Sequence, residues 1–235
     1  PLSESAGSIA GKLRHNAPMR FDPDVWPVFG IRITTPLVTL EPVTPELAFA
    51  LGDVAAEGIH DPATMPFQFP WTDAEPLELR RSQLQFTCRC IADWRPESWR
   101  LAFAVRVDGE LAGVQDIAAT EFGVLRQVTT GSWLGRRFQG RGIGTEMRAA
   151  VVHLAFAGLG AERALSGAWV DNPASQAVST KLGYARIGTH WGVRRGEACE
   201  EVLFGLGRDA WEAARRSDIA IDGLGAAALA QFGVT

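Results

Sequence analysis

The residues best placed to do chemistry are Gln139-Gly140-Arg141-Gly142-Ile143-Gly144-Thr145. They lie between an apolar, strand-like run over residues 128–134 and a helix-like run over 142–159. A glycine turn at that place exposes backbone N–H groups with no side chains in the way. First-turn N–H groups have no partner inside their own helix, and the helix dipole makes that end positive, so the turn is a ready anion site. It predicts a ligand carrying a pyrophosphate.

The elements around the turn can be read from punctuation and periodicity. Residues 31–40 carry β-branched residues between Pro and Gly and predict a first strand. Thr44-Pro45-Glu46 is an N-cap followed by a proline suited to the first helical turn, so 44–58 predicts a helix. Residues 61–76 hold four prolines among Met65, Phe67, Phe69 and Trp71: a stiff apolar loop that packs over the body or walls a pocket. Residues 77–93 read as a helix, and 101–120 as a hairpin turning at Asp108-Gly109. After the strand over 127–134 and the helix from Gly142 come a strand (164–170) and a turn through Asp171-Asn172-Pro173-Ala174-Ser175. A helix ending at Gly183, a hairpin (186–191 with 201–206) and a short helix (209–216) follow. Residues 1–29 read as an arm, 30–210 as the folded domain, and 211–235 as a helix and Gly/Ala-rich tail with no strong fold signal. Central hairpins with crossovers on either side require an α/β (α+β) fold with a mixed sheet.

The chain has 235 residues, enough for one domain with extensions, and a net charge of −4. No global basic field drives nucleic-acid binding. No apolar run predicts a membrane span or signal peptide, so a cytoplasmic protein is expected. Cys88, Cys90 and Cys199 read as reduced thiols, and Cys-x-Cys without a second ligand pair predicts no metal site.

Three readings of the turn compete. A triphosphate-binding loop needs Gly, four residues, then Gly-Lys-Ser/Thr, and no Lys stands at that place. A dinucleotide fingerprint needs Gly-x-Gly-x-x-Gly in the first βα unit; here the third glycine is misplaced, although Asp171 ends the next strand. The third pattern is Gln/Arg-x-x-Gly-x-Gly/Ala opening a helix after a fourth strand, matched by Gln139, Gly142 and Gly144. With Gly131-Ser132-Trp133-Leu134 before it, Asn172-Pro173-Ala174-Ser175 after it, and Lys181-Leu182-Gly183-Tyr184 ending the next helix, the chain resembles a GCN5-related N-acyltransferase (GNAT). It is most similar to the ribosomal-protein N-terminal acetyltransferases of the RimJ/RimL type. The resemblance spans residues 31–209 by element order and 131–184 by motif.

That resemblance implies a sheet of about seven strands, splayed between the fourth and fifth, with helices on both faces. It implies acyl-CoA, acetyl or succinyl, as co-substrate, held by Trp133, Leu134, Gln139, Gly140, Arg141, Gly142, Ile143, Gly144, Thr145, Asn172, Ser175, Ser179 and Lys181. A backbone N–H near Leu134 would polarise the thioester carbonyl. Ser175 would serve as the acid. The family's usual Tyr is replaced by Ser179 and its usual strand Glu by Thr129, which leaves Asp116 or Glu121 as candidate bases; His153 reads as a core histidine. A succinyl carboxylate would need a cation, for which Arg80, Arg81, Arg89 and Arg126 are candidates. The acceptor would be an amine: a protein N-terminus, a lysine or a small amine. No nucleic acid, membrane or metal partner is implied, and a homo-oligomer is compatible. The missing Tyr and Glu also keep open a CoA-ester sensor without turnover, and the NAD-type reading remains the outlier.

Overall fold

A computed structural model describes residues 22–234; most of the expected N-terminal arm lies outside the described residues. Nine strands form one sheet: β1 (Arg32–Thr34), β2 (Thr39–Pro42), β3 (Ser98–Val107), β4 (Glu110–Thr120), β5 (Gln127–Leu134), β6 (Arg163–Trp169), β7 (Ala185–Arg194), β8 (Glu197–Gly207) and β9 (Ala220–Asp222). Their order across the sheet is β7-β8-β6-β5-β4-β3-β2-β1-β9. Two differences raise the expected seven strands to nine. The first strand is broken at Thr35, whose hydroxyl accepts the Val38 N–H and folds β1 back on β2. The tail supplies β9, antiparallel to β1.

Two of the helices carry side-chain caps. In α1 (Pro45–Ala56) Thr44 caps the Leu47 N–H. α2 (Pro76–Ala92) follows the proline-rich loop. A short α3 (Phe122–Leu125) precedes β5. α4 (Ile143–His153) runs on through a π-helical turn, Leu154–Gly158. In α5 (Pro173–Lys181) the Asn172 side chain accepts the Ser175 N–H at 3.2 Å, a cap of the type that contributes about 1 kcal/mol. The β3–β4 turn has φ of +50° at Asp108 and +85° at Gly109, as the Asp-Gly pair predicts.

Alternation along each strand sends side chains to two faces. Leu101, Phe103, Val105, Val128, Ala164, Val202 and Phe204 join α4 in the main core. Ala102, Ala104 and Val114 face α1, with Trp133 packed against them. The tail adds α6 (Arg208–Ala213) and α7 (Ala226–Gln231). Phe232, fully buried, meets Trp94 and Trp99, and both indole N–H groups donate to carbonyls at Gln231 and Phe232. Residues 219–234 therefore pack into the body, although composition gave them no strong signal. Arg216 pairs with the buried Glu146 of α4, and the Arg216 guanidinium holds that carboxyl below its usual pKa.

All sheet neighbours are antiparallel except β5 and β6. That pair touches at only three positions, Gln127↔Arg163, Val128↔Ala164 and Thr129↔Leu165. Beyond them the strands diverge into a V.

Candidate active site

The V opens into a cleft of about 1030 Å³. Residues 129–134 of β5 and 165–169 of β6 form its sides, and the glycine turn and the start of α5 form its mouth. Gly140 and Gly142 have φ of +72° and +81°, with open space where a Cβ would stand. Positive φ favours glycine, and the open space lets a ligand approach the backbone. Thr145 and Glu146 donate their N–H groups back to Gly142 O. Those of Ile143 and Gly144 belong to the first turn, where no intrahelical acceptor exists, and remain for an anion. Gly135 donates its N–H to Ala112 O on β4 at 2.8 Å, and strand alternation turns that of Leu134 toward the gap. An extended chain laid in the gap could pair with it.

Gly140, Gly142, Gly144, Thr145, Trp133, Leu134, Asn172, Ser175 and Lys181 all line the cleft. The Ser175 hydroxyl makes no hydrogen bond among the described residues. Gln139 also lines it, but its amide donates to Ile59 O and Leu134 O, tying the loop after α1 to β5. Ile143 sends its side chain into the core and offers only backbone. Arg141 is exposed beside the turn and is not among the lining residues. Ser179 is fully buried on the inner side of α5, with its hydroxyl donating to Ser175 O and lying 3.5 Å from the Arg148 guanidinium, so it does not face the cleft.

Asp116 is already engaged. Its carboxylate accepts the Gly131 N–H and a bond from Arg100, both at 2.8 Å. Glu121 is exposed at a left-handed turn away from the cleft. His153 stacks edge-on against Trp211 in the core, and burial pulls its pKa down. Arg80 and Arg81 pair with Asp53 and Glu78 on the surface, Arg89 is exposed, and Arg126 lies over Phe122; none of the four lines the cleft. The apolar loop does both things expected of it. Phe67 packs on Trp71 and Trp71 on Trp133, while Met65, Pro66, Phe67 and Gln68 line the cleft.

Sequence reasoning missed three lining residues. Arg148 on α4 is completely buried, donating to Ser166 at 2.7 Å and lying 3.5 Å from Ser132 and Ser179, with Nε unpartnered. Its signal was a charge set inside the small and apolar run Met147-Arg148-Ala149-Ala150-Val151-Val152 of α4. Glu201 on β8 is buried beside Gln68 and the third, His190. Its signal was the alternation Glu201, Val202, Leu203, Phe204, in which core-facing Val202 and Phe204 send Glu201 to the other face.

The family described as the acetyltransferase (GNAT) domain matches residues 38–185, more than half of the chain. The chain belongs to the GNAT acetyltransferases. Solved structures with the same fold include RimL, a ribosomal L7/L12 alpha-N-protein acetyltransferase in complex with coenzyme A. It is 19% identical with a TM-score of 0.61 over 75% of this chain and 97% of that one. They also include RimJ of Mycobacterium smegmatis in complex with a CoA-disulfide, at 19% identity and a TM-score of 0.59 over 79% and 93%. The microcin C7 self-immunity acetyltransferase MccE, in complex with acetyl-CoA and AMP, matches at 18% and 0.58 over 73% and 93%. The nine-stranded sheet with its V is thus the GNAT fold. Among the described residues of this GNAT domain, no three His, Cys, Asp or Glu side chains gather as a metal site, and no helix is long and apolar enough to cross a membrane.

Proposed function

We propose that the protein transfers an acyl group from a coenzyme A thioester to an amine by direct attack in a ternary complex. The observation that carries this reading is the junction of the open glycine turn with the V between β5 and β6. The turn offers N–H groups and a helix dipole to a pyrophosphate; the V offers a free strand edge to a pantetheine. Asn172 and Ser175 would meet the pantetheine arm, and Lys181 the ribose phosphate. The Leu134 N–H is suited to hold the oxyanion that develops at the thioester carbonyl, and the unbonded Ser175 hydroxyl to protonate the leaving thiolate. Calorimetry with coenzyme A and a thiol-release assay over amines and peptides test the reading. Micromolar binding with amine-dependent thiol release is expected. Binding without turnover would make the protein a sensor of CoA esters, and neither would end the reading. Side-by-side thermal shifts with NAD(H) dispose of the dinucleotide alternative, since a ligand stabilises only a fold that binds it.

One observation favours succinyl over acetyl. Arg148 lies where the V closes, with no carboxylate at ion-pair distance among the described residues and burial pulling its pKa down. Thr130 Oγ1 and Tyr184 Oη, both buried nearby, have no partner beyond each other. A buried cation with unfilled donors favours an acyl chain ending in a carboxylate. Succinyl-CoA and butyryl-CoA have the same carbon count and differ in that terminus. Succinyl-CoA is expected to bind at least tenfold tighter, with the preference lost in Arg148→Met and partly kept in Arg148→Lys. Equal affinities in the unaltered protein would return the acyl group to acetyl.

A further inference from the structure

We infer that Glu201 is the carboxylate that receives and deprotonates the acceptor amine, and that His190 passes the proton to solvent. The assignment rests on the acyltransferase reading above and adds the acceptor side of the reaction to it.

Glu201 has the surroundings such a group needs. It lies on β8 opposite Trp169 of β6, and its side chain lies against Gly167, where any Cβ would collide with the carboxylate. Continuing the Thr129↔Leu165 register by two residues sets Gly167 level with Gly131, just past the closed end of the V. Strand alternation divides the two faces of the cleft there. Ser166 turns toward Arg148 and α4, whereas Gly167 and Glu201 turn toward the loop carrying Gln68. The turn and α5, which suit coenzyme A, sit with α4 on one face; Glu201 sits on the other, where a second substrate can enter.

The hydrogen bonds leave half of the carboxylate open. Gln68 Nε2 lies 3.2 Å and His190 Nε2 3.3 Å from the same oxygen, Oε2. Oε1 has no hydrogen bond among the described residues and lines the cleft against Gly167. The neighbouring guanidiniums are spent elsewhere: Arg194 on Asp171, with its charge over Trp169, and Arg100 on Asp116. The Glu201 side chain is 7% exposed and His190 is 49% exposed. A buried carboxylate with no fixed cation suits a cationic ligand, here the protonated amine. The imidazole beside it connects it to water.

The step balances. The acceptor ammonium gives one proton to Glu201 Oε1; rotation of the carboxyl group carries it to the His190 side, now held by Oε2, and His190 releases it to solvent. The neutral amine nitrogen attacks the thioester carbonyl and forms the C–N bond. The C–S bond breaks, the electron pair leaves on sulfur, and the second nitrogen proton goes to the thiolate by way of Ser175. Amide, free thiol and one released proton result. Asp116, paired with Arg100 and bonded to Gly131, already accepts a hydrogen bond on each of its oxygens.

The experiment uses the full chain, acyl-CoA at saturation, and two probes: a short peptide with a free N-terminus and one lysine, and spermidine. Glu201→Gln keeps shape and removes charge. It is expected to lower kcat/KM for the amine about 10²- to 10³-fold while the Kd for acyl-CoA stays within about threefold. His190→Gln, at a half-exposed position, is expected to lower kcat and to be rescued by added imidazole. A merely structural histidine would show no such rescue. Amine turnover unchanged in Glu201→Gln, or acyl-CoA affinity lost in parallel with turnover, would overturn the assignment while the acyltransferase reading stands. Unaltered protein that neither binds coenzyme A nor releases thiol with these amines ends both.

Discussion

Gly142→Asp is expected to abolish coenzyme A binding while leaving the fold standing. Gly142 holds φ at +81° just before α4, and nothing lies within 4 Å of a Cβ placed there. Asp enters the left-handed region more readily than most residues, so the backbone strain is held to about 1–2 kcal/mol. Its carboxylate would stand at the mouth where the N–H groups of Ile143 and Gly144 are available to an anion. There it would take those N–H groups for itself as an N-cap and repel a pyrophosphate. At least a hundredfold rise in Kd for coenzyme A, by calorimetry, is expected. Gly142→Asn separates the causes, because it carries the same strain and no charge; about a tenfold rise or less is expected from it. Equal losses in the two variants would place the effect in backbone geometry rather than in anion recognition.

Phe232→Ala is expected to cost about 3–5 kcal/mol of stability, the range for emptying a fully buried aromatic site. The ring is 0% exposed, with centroids 4.7 Å from Trp99 and 5.4 Å from Trp94. The neighbouring Gln231 side chain accepts the Val28 N–H at 2.9 Å, so the segment that binds the indoles also holds the chain before β1. For a domain of this size each kcal/mol moves Tm by about 2–4 °C, so thermal unfolding should fall by about 6–20 °C. A shift under about 3 °C would mean that the tail contributes little to the body.

The half of the candidate site proposed for coenzyme A was legible because its determinants are local. Gly140 and Gly142 announce positive φ, Asn172-Pro173 announces a cap and a first turn, and each acts within a few residues of itself. Strand alternation was legible for the same reason. Three things were not. The tail's partners are Trp94 and Trp99, more than 130 residues earlier in the chain, so its Gly/Ala-rich composition gave no sign of them. Arg148 and Glu201 gain meaning only from what faces them: three serine hydroxyls from two strands and a helix, and a glycine with an imidazole. Asp116 shows the converse. Its place on the second strand of the Asp108-Gly109 hairpin was readable, but its pairing with Arg100 across the β3–β4 ladder depends on register.

The three residue pairs that join β5 to β6 have a mechanical consequence. They divide the sheet into two plates, one of β7, β8 and β6 carrying Glu201 and His190, the other of the remaining six strands carrying Gly131, Trp133 and Leu134. Backbone continuity between the plates is confined to one end, so they meet like the covers of a book at its spine. A molecule lying along the gap and bonded to both would act as the missing strand, and its thickness would set the distance between Leu134 and Glu201. The spacing of the two groups proposed to act is thus a property of the filled sheet rather than of the polypeptide alone.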